Sequence, residues 1–510
     1  MKLATRKHKL ALCLLPLLAL PVCHAQGDGS DLDKLKAKLD EQQRQIDSLR
    51  QKLDGQSPRS TDKTQADAAA SSPLQIKIGD TTITPIGFMD LTAEWKDKNA
   101  GGSIGTSFGS IPYNNAATAK LSEFRFSPQN SRIGFRVDGN WKGVQFIGYN
   151  EFDFLGTSGT NNLSVTNGAF VPRIRLYWVD LRKGEWEFLA GQSWSMLTPN
   201  RKGLSPLPSD IFYSQVMDVN YIAGLPWTRQ PGLRVVYHPT KQVTWGFAAE
   251  NPDQYMGGSG GGSSIVLPSA LSGLAGSQLD NTSNVQTIPN LVPDFISKVA
   301  FDPNPRVHFE VAGILRTFKL WNTTTGTAAS GEYFTKEGAG GSVNGNFEIV
   351  KNLRLISNNY WSDGGGRYIF GQAPDLVVRS NGSISPIHSG GVNEGFEATV
   401  GKFLLFAYYG GIYVGRDVAL DANGTSLVGY GYHGSANSQN KAIQEVTFGW
   451  NQTVWKDAKY GAVNLIAQYE YAMRDPWYVA PNAPKATHDN TLYFDVRYTL
   501  PGTAPAMAGK

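Results

Sequence analysis

The sequence predicts an all-β transmembrane protein: a 16-stranded antiparallel outer-membrane β-barrel preceded by a short N-terminal coiled-coil helix. The first observation is that segments alternating apolar and polar residues recur after Leu74, as in LYFDVRYTL at 492–500. The second is that short polar turns and long connections alternate between these segments. A single such segment would suit a soluble core equally well, so the prediction depends on the recurrence and on the loop lengths.

Residues 1–25 have the features of a secretory signal peptide: a basic start, an apolar stretch at 10–20 and a cleavage site at 23–25. A lipoprotein signal using Cys23 is the alternative, but Val22 is large for the position before a lipidated cysteine. Cleavage removes both cysteines, Cys13 and Cys23, and four of the 47 basic residues, which leaves as many bases as the 43 acids. The mature chain is therefore expected to have no disulfide, no cysteine metal site and no charge favouring nucleic acid.

A heptad pattern follows at residues 26–54, which predicts a coiled-coil segment. Its a and d positions are Leu32, Leu35, Leu39, Gln42, Ile46, Leu49 and Leu53. A helix of roughly 33 Å is marginal alone, which favours association with other copies. The alternative is a solvated helix lying against another domain, and the pattern does not decide between dimer and trimer. Residues 55–73, rich in Ser, Thr, Asp and Ala, are predicted to be a flexible linker.

The barrel domain is predicted at 74–500, with a C-terminal tail at 501–510. No later segment has 18 consecutive apolar residues, so only a barrel would cross a membrane. Seven tight turns and eight longer connections give sixteen strands, with fourteen or eighteen as the alternative counts. Short turns belong to the periplasmic rim of such barrels, and both termini lie there. We therefore predict the bacterial outer membrane as the location, with the N-terminal helix in the periplasm.

The alternation also assigns a lipid face and a lumen face, because charges on the lipid face are costly. The segment from Val171 is predicted to place Leu176 and Trp178 toward lipid and Tyr177 toward the lumen. The charged side chains predicted to face the lumen include Arg132, Arg136, Glu151, Asp153, Arg173, Arg175 and Arg234. Such a ring would separate charge across the pore and favour small anions. The alternative is that a polar lumen carries charges simply because lipid excludes them.

The connection at 196–230 is longer than a hairpin needs and contains prolines together with Arg201 and Arg229. We predict that it folds into the lumen and narrows the pore, with an extracellular cap as the alternative. The seven histidines are scattered without metal-ligand spacing, and no nucleophile or nucleotide motif is present. No catalytic residue, metal or cofactor is therefore expected, and the chain is not expected to be an enzyme.

Four segments resemble the DcaP-like family of outer-membrane porins: GFMDLTAEW at 87–95, SRIGFRVDG at 131–139, RIRLYWVDL with FLAGQSWSML at 173–197, and GLPWTRQPGLRVVY at 224–237. The resemblance implies a trimeric 16-stranded barrel, a periplasmic coil that assists trimerisation and an arginine-rich constriction that takes up dicarboxylates. Carried over residue by residue, it implies a basic lumen set of Arg132, Arg136, Arg173, Arg175, Arg201 and Arg234.

The function expected from these observations is passive, substrate-biased diffusion of small anionic solutes through a channel lined with arginines, and the resemblance implies that these solutes are dicarboxylates. The expected partners are these solutes, outer-membrane lipid, two further copies of the chain and the barrel assembly machinery, with no nucleic acid. A general non-specific diffusion porin is the first alternative. An outer-membrane barrel enzyme and a trimeric adhesin, whose coil would lie outside the cell, are the others.

Overall fold

A computed structural model of the chain describes residues 41, 44–45, 72–157, 170–212, 214–282, 288–323 and 330–503. The heptad positions Leu32, Leu35, Leu39, Ile46, Leu49 and Leu53 lie outside these ranges, as do the signal peptide and nearly all of the linker. Within the described residues, no helix combines the length and apolarity that a membrane crossing needs.

Sixteen antiparallel strands form one closed barrel, which confirms the predicted fold class and strand number. Each strand pairs with the next in sequence, and the last pairs with the first from Phe88 opposite Thr499 to Lys96 opposite Thr491. The strands are β1 Thr81–Lys96, β2 Glu123–Ser127 continued by Arg132–Trp141, β3 Val144–Thr157, β4 Phe170–Lys183, β5 Trp186–Trp194, β6 Arg229–Tyr237, β7 Val243–Glu250, β8 Asp294–Asn304, β9 Val307–Asn322, β10 Glu332–Val350, β11 Leu353–Asp363, β12 His388–Val400, β13 Phe403–Val414, β14 Asn440–Asp457, β15 Gly461–Pro476 and β16 Thr487–Thr499.

The alternation seen in the sequence becomes an apolar outer wall and a polar inner wall. In β16, Leu492, Phe494 and Val496 are exposed on the outside, whereas Tyr493 and Asp495 are buried on the inside. Because a barrel has no free strand edge, the outer wall needs only apolar side chains to suit lipid.

The predicted faces of β4 are wrong in its second half. Leu176 and Trp178, expected toward lipid, are buried inside the barrel, and Tyr177, expected in the lumen, is 61% exposed outside. The reason is a β-bulge: the β3 partners of Ile174 and Leu176 are adjacent residues, which leaves Arg175 unpaired. One extra residue reverses the alternation from that point onward.

Short elements occupy the loops between the strands. The 3₁₀ helices are Phe108–Ser110, Ala117–Lys120, Ser259–Gly261, Ser269–Leu274 and Gly366–Tyr368, and the additional short strands are Ile76–Ile78, Leu376–Val378, Ile384–Pro386, Asp417–Leu420 and Leu427–Tyr430. Buried apolar residues from several of these loops, including Leu271, Tyr368, Val377 and Tyr430, join one hydrophobic cluster. The long loops are therefore packed against one another.

The start of the predicted tail is tied to the barrel. The carbonyl of Pro501 accepts a hydrogen bond from Ser72 Oγ at 2.7 Å. The hydroxyl of Thr503 accepts one from the backbone N–H of Gly87 at 2.9 Å. Residues 501–503 therefore extend the contact between the two ends of the barrel sheet.

Candidate functional site: the barrel lumen

The loop between β5 and β6, described at residues 195–212 and 214–228 and here called L3, lies inside the barrel. Its first part is held by β8 and β9, where Lys298 donates to the carbonyl of Thr198 at 2.9 Å. Glu310 accepts from the backbone N–H of Asn200 at 3.2 Å. Because these strand side chains belong to the inner wall, L3 occupies the lumen at this height.

The second part of L3 reaches the wall from β13 to β16. The backbone N–H of Gln215 donates to Tyr408 Oη at 3.2 Å, and that of Ala223 donates to Glu445 at 2.8 Å. Tyr493 in β16 donates to the carboxylate of Asp218 at 3.2 Å. The prediction that this loop folds into the lumen is confirmed, and the extracellular cap is wrong.

Apolar packing explains why L3 folds inward rather than out into water. Burying a large apolar side chain gains roughly 1.5–3 kcal/mol, and L3 supplies several. Its contribution to one cluster inside the barrel is Leu207, Ile211, Phe212, Tyr221, Ile222, Leu225 and Trp227. They pack against inner-wall residues that include Ile147, Leu176, Trp178 and Leu189. The β-bulge in β4 therefore has a structural role, since it turns Leu176 and Trp178 toward this loop.

Close backbone contact fixes the tip of L3 on β12 and β13. Gly224 has a φ of +84°, and a Cβ there would lie 2.2 Å from the carbonyl oxygen of Gly411. A Cβ on Gly410 would lie 2.1 Å from the carbonyl oxygen of Ala223. Only glycine fits at either position, so the contact requires Gly224 in the loop and Gly410 in the wall.

Arg175 is the centre of a charged cluster formed by β3, β4 and L3. Its guanidinium donates to Glu151 at 2.6 Å, to Asp153 at 2.9 Å and to Tyr221 Oη at 3.1 Å. The side chain is only 3% exposed. Arg175 therefore anchors L3 to the wall and is largely closed to a passing solute.

Arg132 and Arg173 flank this cluster and share its carboxylates. Arg132 lies 3.7 Å from Glu151, and its side chain is 11% exposed. Arg173 donates to Asp153 at 3.0 and 2.7 Å, yet 40% of its side chain is exposed. Five of the predicted lumen residues are thus brought together, and Arg173 is the one most open to solvent.

The other three predicted arginines are elsewhere in the barrel. Arg136 pairs with Asp138 on its own strand at 2.7 Å. Arg201, in L3, forms a bidentate pair with Glu397 of β12 at 2.9 and 2.7 Å. Arg234 is buried and donates to the carbonyl of Trp194 at 2.8 Å. These three do not join the cluster around Arg175.

Arg229 is not among the lumen arginines predicted from the sequence, because it falls at the end of the predicted long connection. It is in fact the first residue of β6. Its guanidinium lies 5.6 Å from the ring centre of Trp194 and 5.8 Å from that of Trp227. Its Nη1 is buried without a hydrogen-bond partner, and no carboxylate among the described residues pairs with it. It is close enough to Arg173 and Arg175 for their positive charges to repel.

Two further donors next to Arg229 lack partners in the structure. The indole Nε1 of Trp227 and the hydroxyl of Thr228 are both buried without a hydrogen bond. Buried donors are normally satisfied, and unpaired ones need an explanation such as a bound group. In the sequence the three donors are consecutive residues of the segment WTRQPGLR, and this run is the signal by which they could be found.

Acidic side chains dominate a different sector, formed by β14, β15, β16 and β1. Glu94 lies 3.0 Å from Lys96. Glu470 is held by a neutral donor, the hydroxyl of Thr106, at 2.7 Å, and Asp495 is fully buried. The lumen therefore has a sector rich in arginines at β2 to β6 and a sector rich in carboxylates beside it.

Comparison with solved structures shows similarity over most of the chain. The outer-membrane channel DcaP of Acinetobacter baumannii is 16% identical, with a TM-score of 0.57 over 83% of this chain and 98% of that one. The fold is that of the DcaP channel. The predicted resemblance to the DcaP-like porins is confirmed at the level of the fold. An anion-selective porin from Comamonas acidovorans is 11% identical, with a TM-score of 0.45 over 82% of this chain and 99% of the porin. No family model and no curated protein matches the sequence.

Proposed function

We propose that this protein is a passive channel of the bacterial outer membrane, biased toward small anionic solutes and in particular dicarboxylates. The observation that carries the proposal is Arg229, a guanidinium in the lumen without a carboxylate partner and with a buried Nη1 that no group satisfies. A carboxylate is the natural partner of such a group, because it accepts charge-assisted hydrogen bonds.

Arg173 supplies a second contact for a solute with two carboxylates. Its side chain is 40% exposed, and its charge lies near that of Arg229. One carboxylate would be held by Arg229 and the other by Arg173, replacing part of each group's hydration. Because Arg173 is also engaged by Asp153, its contact with the solute stays weak. Weak contacts at more than one position let a solute enter and leave, as conduction requires.

The test is planar-bilayer recording of reversal potentials, with mono- and dicarboxylates as blockers. Arg229→Gln is expected to lower the anion preference and to weaken block by dicarboxylates. Lys459→Gln is the matched control, since it removes one positive charge from an exposed turn and is expected to leave both unchanged. Cation selectivity of the wild type without dicarboxylate block would contradict the proposal.

A general diffusion porin is the second candidate, and the pairing of the predicted arginines favours it. Glu151, Asp153 and Glu397 neutralise much of the positive charge contributed by their arginine partners. A weakly selective pore would pass mono- and dicarboxylates according to size alone. The same recordings separate the two candidates, because block that depends only on solute size would support the general porin.

Homotrimer formation and a periplasmic coil at 26–54 complete the proposal. They are supported by the heptad pattern and by the resemblance of the sequence to trimeric porins. Deleting residues 26–54 after the signal cleavage site is expected to lower the temperature at which the trimer dissociates in detergent. Protease digestion of the coil in intact cells would instead place it outside the cell and favour an adhesin.

A further inference from the structure

Every short turn of the barrel carries an exposed basic residue. The seven short turns connect the strands in pairs, from β2 and β3 to β14 and β15. Each turn contains or directly adjoins a base that is exposed: Lys142, Lys183, Lys241, Arg306, Lys351, Lys402 and Lys459. Because the short turns of an outer-membrane barrel lie at its periplasmic end, these seven bases surround that end, and they are here called the basic rim.

The protein itself neutralises little of this positive charge. In the part of the chain that the structure describes, only Arg306 of the basic rim forms an ion pair, with Glu348 at 3.9 Å. Two more exposed bases lie at the same end, Lys77 and Lys456, whereas the exposed acids there are Asp80, Glu185 and Asp457. This end of the barrel therefore carries an excess of positive charge and is complementary to an anionic surface.

Aromatic rings on the outer wall lie next to the basic rim. Trp141 in β2 and Trp186 in β5 are both exposed on the outer face. Lys142 Nζ lies 5.0 Å from the ring centre of Trp141, and Lys459 Nζ lies 5.3 Å from that of Tyr460. Exposed Trp and Tyr residues of membrane proteins lie at the level of the lipid headgroups. The basic rim is therefore at the height of the headgroups and not in the water beyond them.

A groove of about 330 Å³ on the outer wall gives one base of the rim a defined environment. Its apolar lining comes from four strands and consists of Val144, Leu181, Trp186, Phe188 and Val235. Lys183 also borders the groove, and it is on the outer face because it is two positions from the exposed Leu181 on β4. Glu187, the other charged neighbour, is engaged by His238 at 2.8 Å. An apolar groove beside an outward lysine suits an acyl chain below a phosphate group.

We propose that the basic rim binds anionic phospholipids of the periplasmic leaflet, with the groove at Lys183 as one fixed lipid position. A lysine is a compact positive charge on a flexible stem, so it can meet a phosphate without a strict geometry. Each base near an anionic membrane surface contributes a factor of about five to binding, so the rim favours anionic over zwitterionic lipids. Anionic peptidoglycan is the other polymer within reach of this end, but it has no acyl chain for the groove.

The proposal is tested with the full chain in vesicles of phosphatidylcholine and phosphatidylglycerol. Electron paramagnetic resonance of spin-labelled lipids measures the association constant of phosphatidylglycerol relative to phosphatidylcholine. The wild type is expected to prefer phosphatidylglycerol by a factor of about three to five at low ionic strength, and less at about 0.5 M salt. A turn variant that combines Lys142→Gln, Lys183→Gln, Lys241→Gln and Lys402→Gln is expected to lose most of this preference.

A loop variant with the same change of net charge is the matched control. It replaces four exposed bases at the opposite end of the barrel by Gln: Lys120, Lys336, Arg416 and Lys485. Both variants should migrate as folded barrels on a cold gel. No preference in the wild type, an unchanged preference in the turn variant, or an equal loss in the loop variant would each overturn the proposal. Binding to purified peptidoglycan that only the turn variant loses, with its lipid preference intact, would identify peptidoglycan as the partner instead.

A second measurement addresses the groove without changing any charge. Native mass spectrometry of barrels released from the same vesicles counts the phosphatidylglycerol molecules that stay bound. Val235→Trp fills the groove and is expected to reduce this count, as is Lys183→Gln. Val299→Trp is the control, because Val299 is an exposed valine of the outer wall on β8, away from the groove. Equal counts in all these proteins would overturn the assignment of a lipid position to the groove.

Discussion

The pair between Arg201 and Glu397 is expected to be a principal anchor of L3, and replacing either partner tests this. Glu397 accepts two hydrogen bonds from Arg201, at 2.9 and 2.7 Å, and one from Tyr408 at 2.7 Å. The two charged side chains are 14% and 7% exposed. Glu397→Gln keeps the shape of the side chain and removes the charge that faces Arg201.

The magnitude follows from the burial of both groups. Removing one partner of a buried, hydrogen-bonded ion pair costs about 3–5 kcal/mol, because the other charge stays buried. Since Arg201 keeps some contact with water, we expect the lower end, about 3 kcal/mol, for Glu397→Gln. Removing both charges in Arg201→Gln with Glu397→Gln is expected to cost less than the two single changes together, with a coupling of about 2 kcal/mol.

The assay is urea unfolding of the folded barrel in detergent, followed by tryptophan fluorescence, for the wild type, both single variants and the double variant. Single-channel recordings of the same proteins report on the loop, and the single variants are expected to show larger current fluctuations as L3 loosens. Single changes that cost under about 1 kcal/mol, or costs that simply add, would refute the argument that the pair is buried and coupled.

Two further predictions concern the tip of L3 and the outer loops. Gly410→Ala places a Cβ 2.1 Å from the carbonyl oxygen of Ala223 and is expected to displace the tip of L3 by about 1 Å. The barrel should still fold, but its single-channel conductance should change. Gly313→Ala is the control, because its Cβ would lie 3.9 Å from the nearest atom, and its conductance should equal that of the wild type. Burial raises the pKa of Asp253 to about 8, against the charge of Arg367 and with help from the carboxyl of Asp280. Because the folded state holds the proton more tightly than the unfolded one, this stabilisation is complete at low pH and is lost as the pH rises through about 8. Cleavage of the loop at 251–282 by added protease should therefore accelerate above that pH in the wild type but not in Asp253→Asn, and equal acceleration in both would contradict the assignment.

The sequence was sufficient for features that depend on local periodicity. The alternation in β16 places Leu492, Phe494 and Val496 outside, as the structure confirms, because lipid on one side and a polar lumen on the other act on every second residue. The same reasoning failed after Arg175, where one unpaired residue reverses the faces. A bulge of this kind is set by the pairing with β3 and by the packing of L3, neither of which is visible in a single strand.

The ion pairs between these side chains could not be predicted from the sequence for a related reason. Periodicity turned Arg132, Arg173 and Arg175 inward, but their partners Glu151 and Asp153 are chosen by the register between strands. The sequence predicts Arg229 in the long connection, whereas it begins β6, because the alternation does not show at which residue a long loop ends and the next strand begins.

The consequence for selectivity is that the number of lumen arginines is a poor guide to the charge a solute meets. Arg175 faces two carboxylates and is almost closed to solvent, so it acts as a structural anchor. Arg229 has no ion-pair partner among the described residues, and its Nη1 is buried without a hydrogen bond, so its charge is less compensated than that of Arg175. At an effective dielectric of about 20, one such charge at about 4 Å from a solute carboxylate is worth about 4 kcal/mol before desolvation. Removing Arg229 should therefore change anion preference more than removing the better-buried Arg234, even though each change removes one positive charge from the lumen.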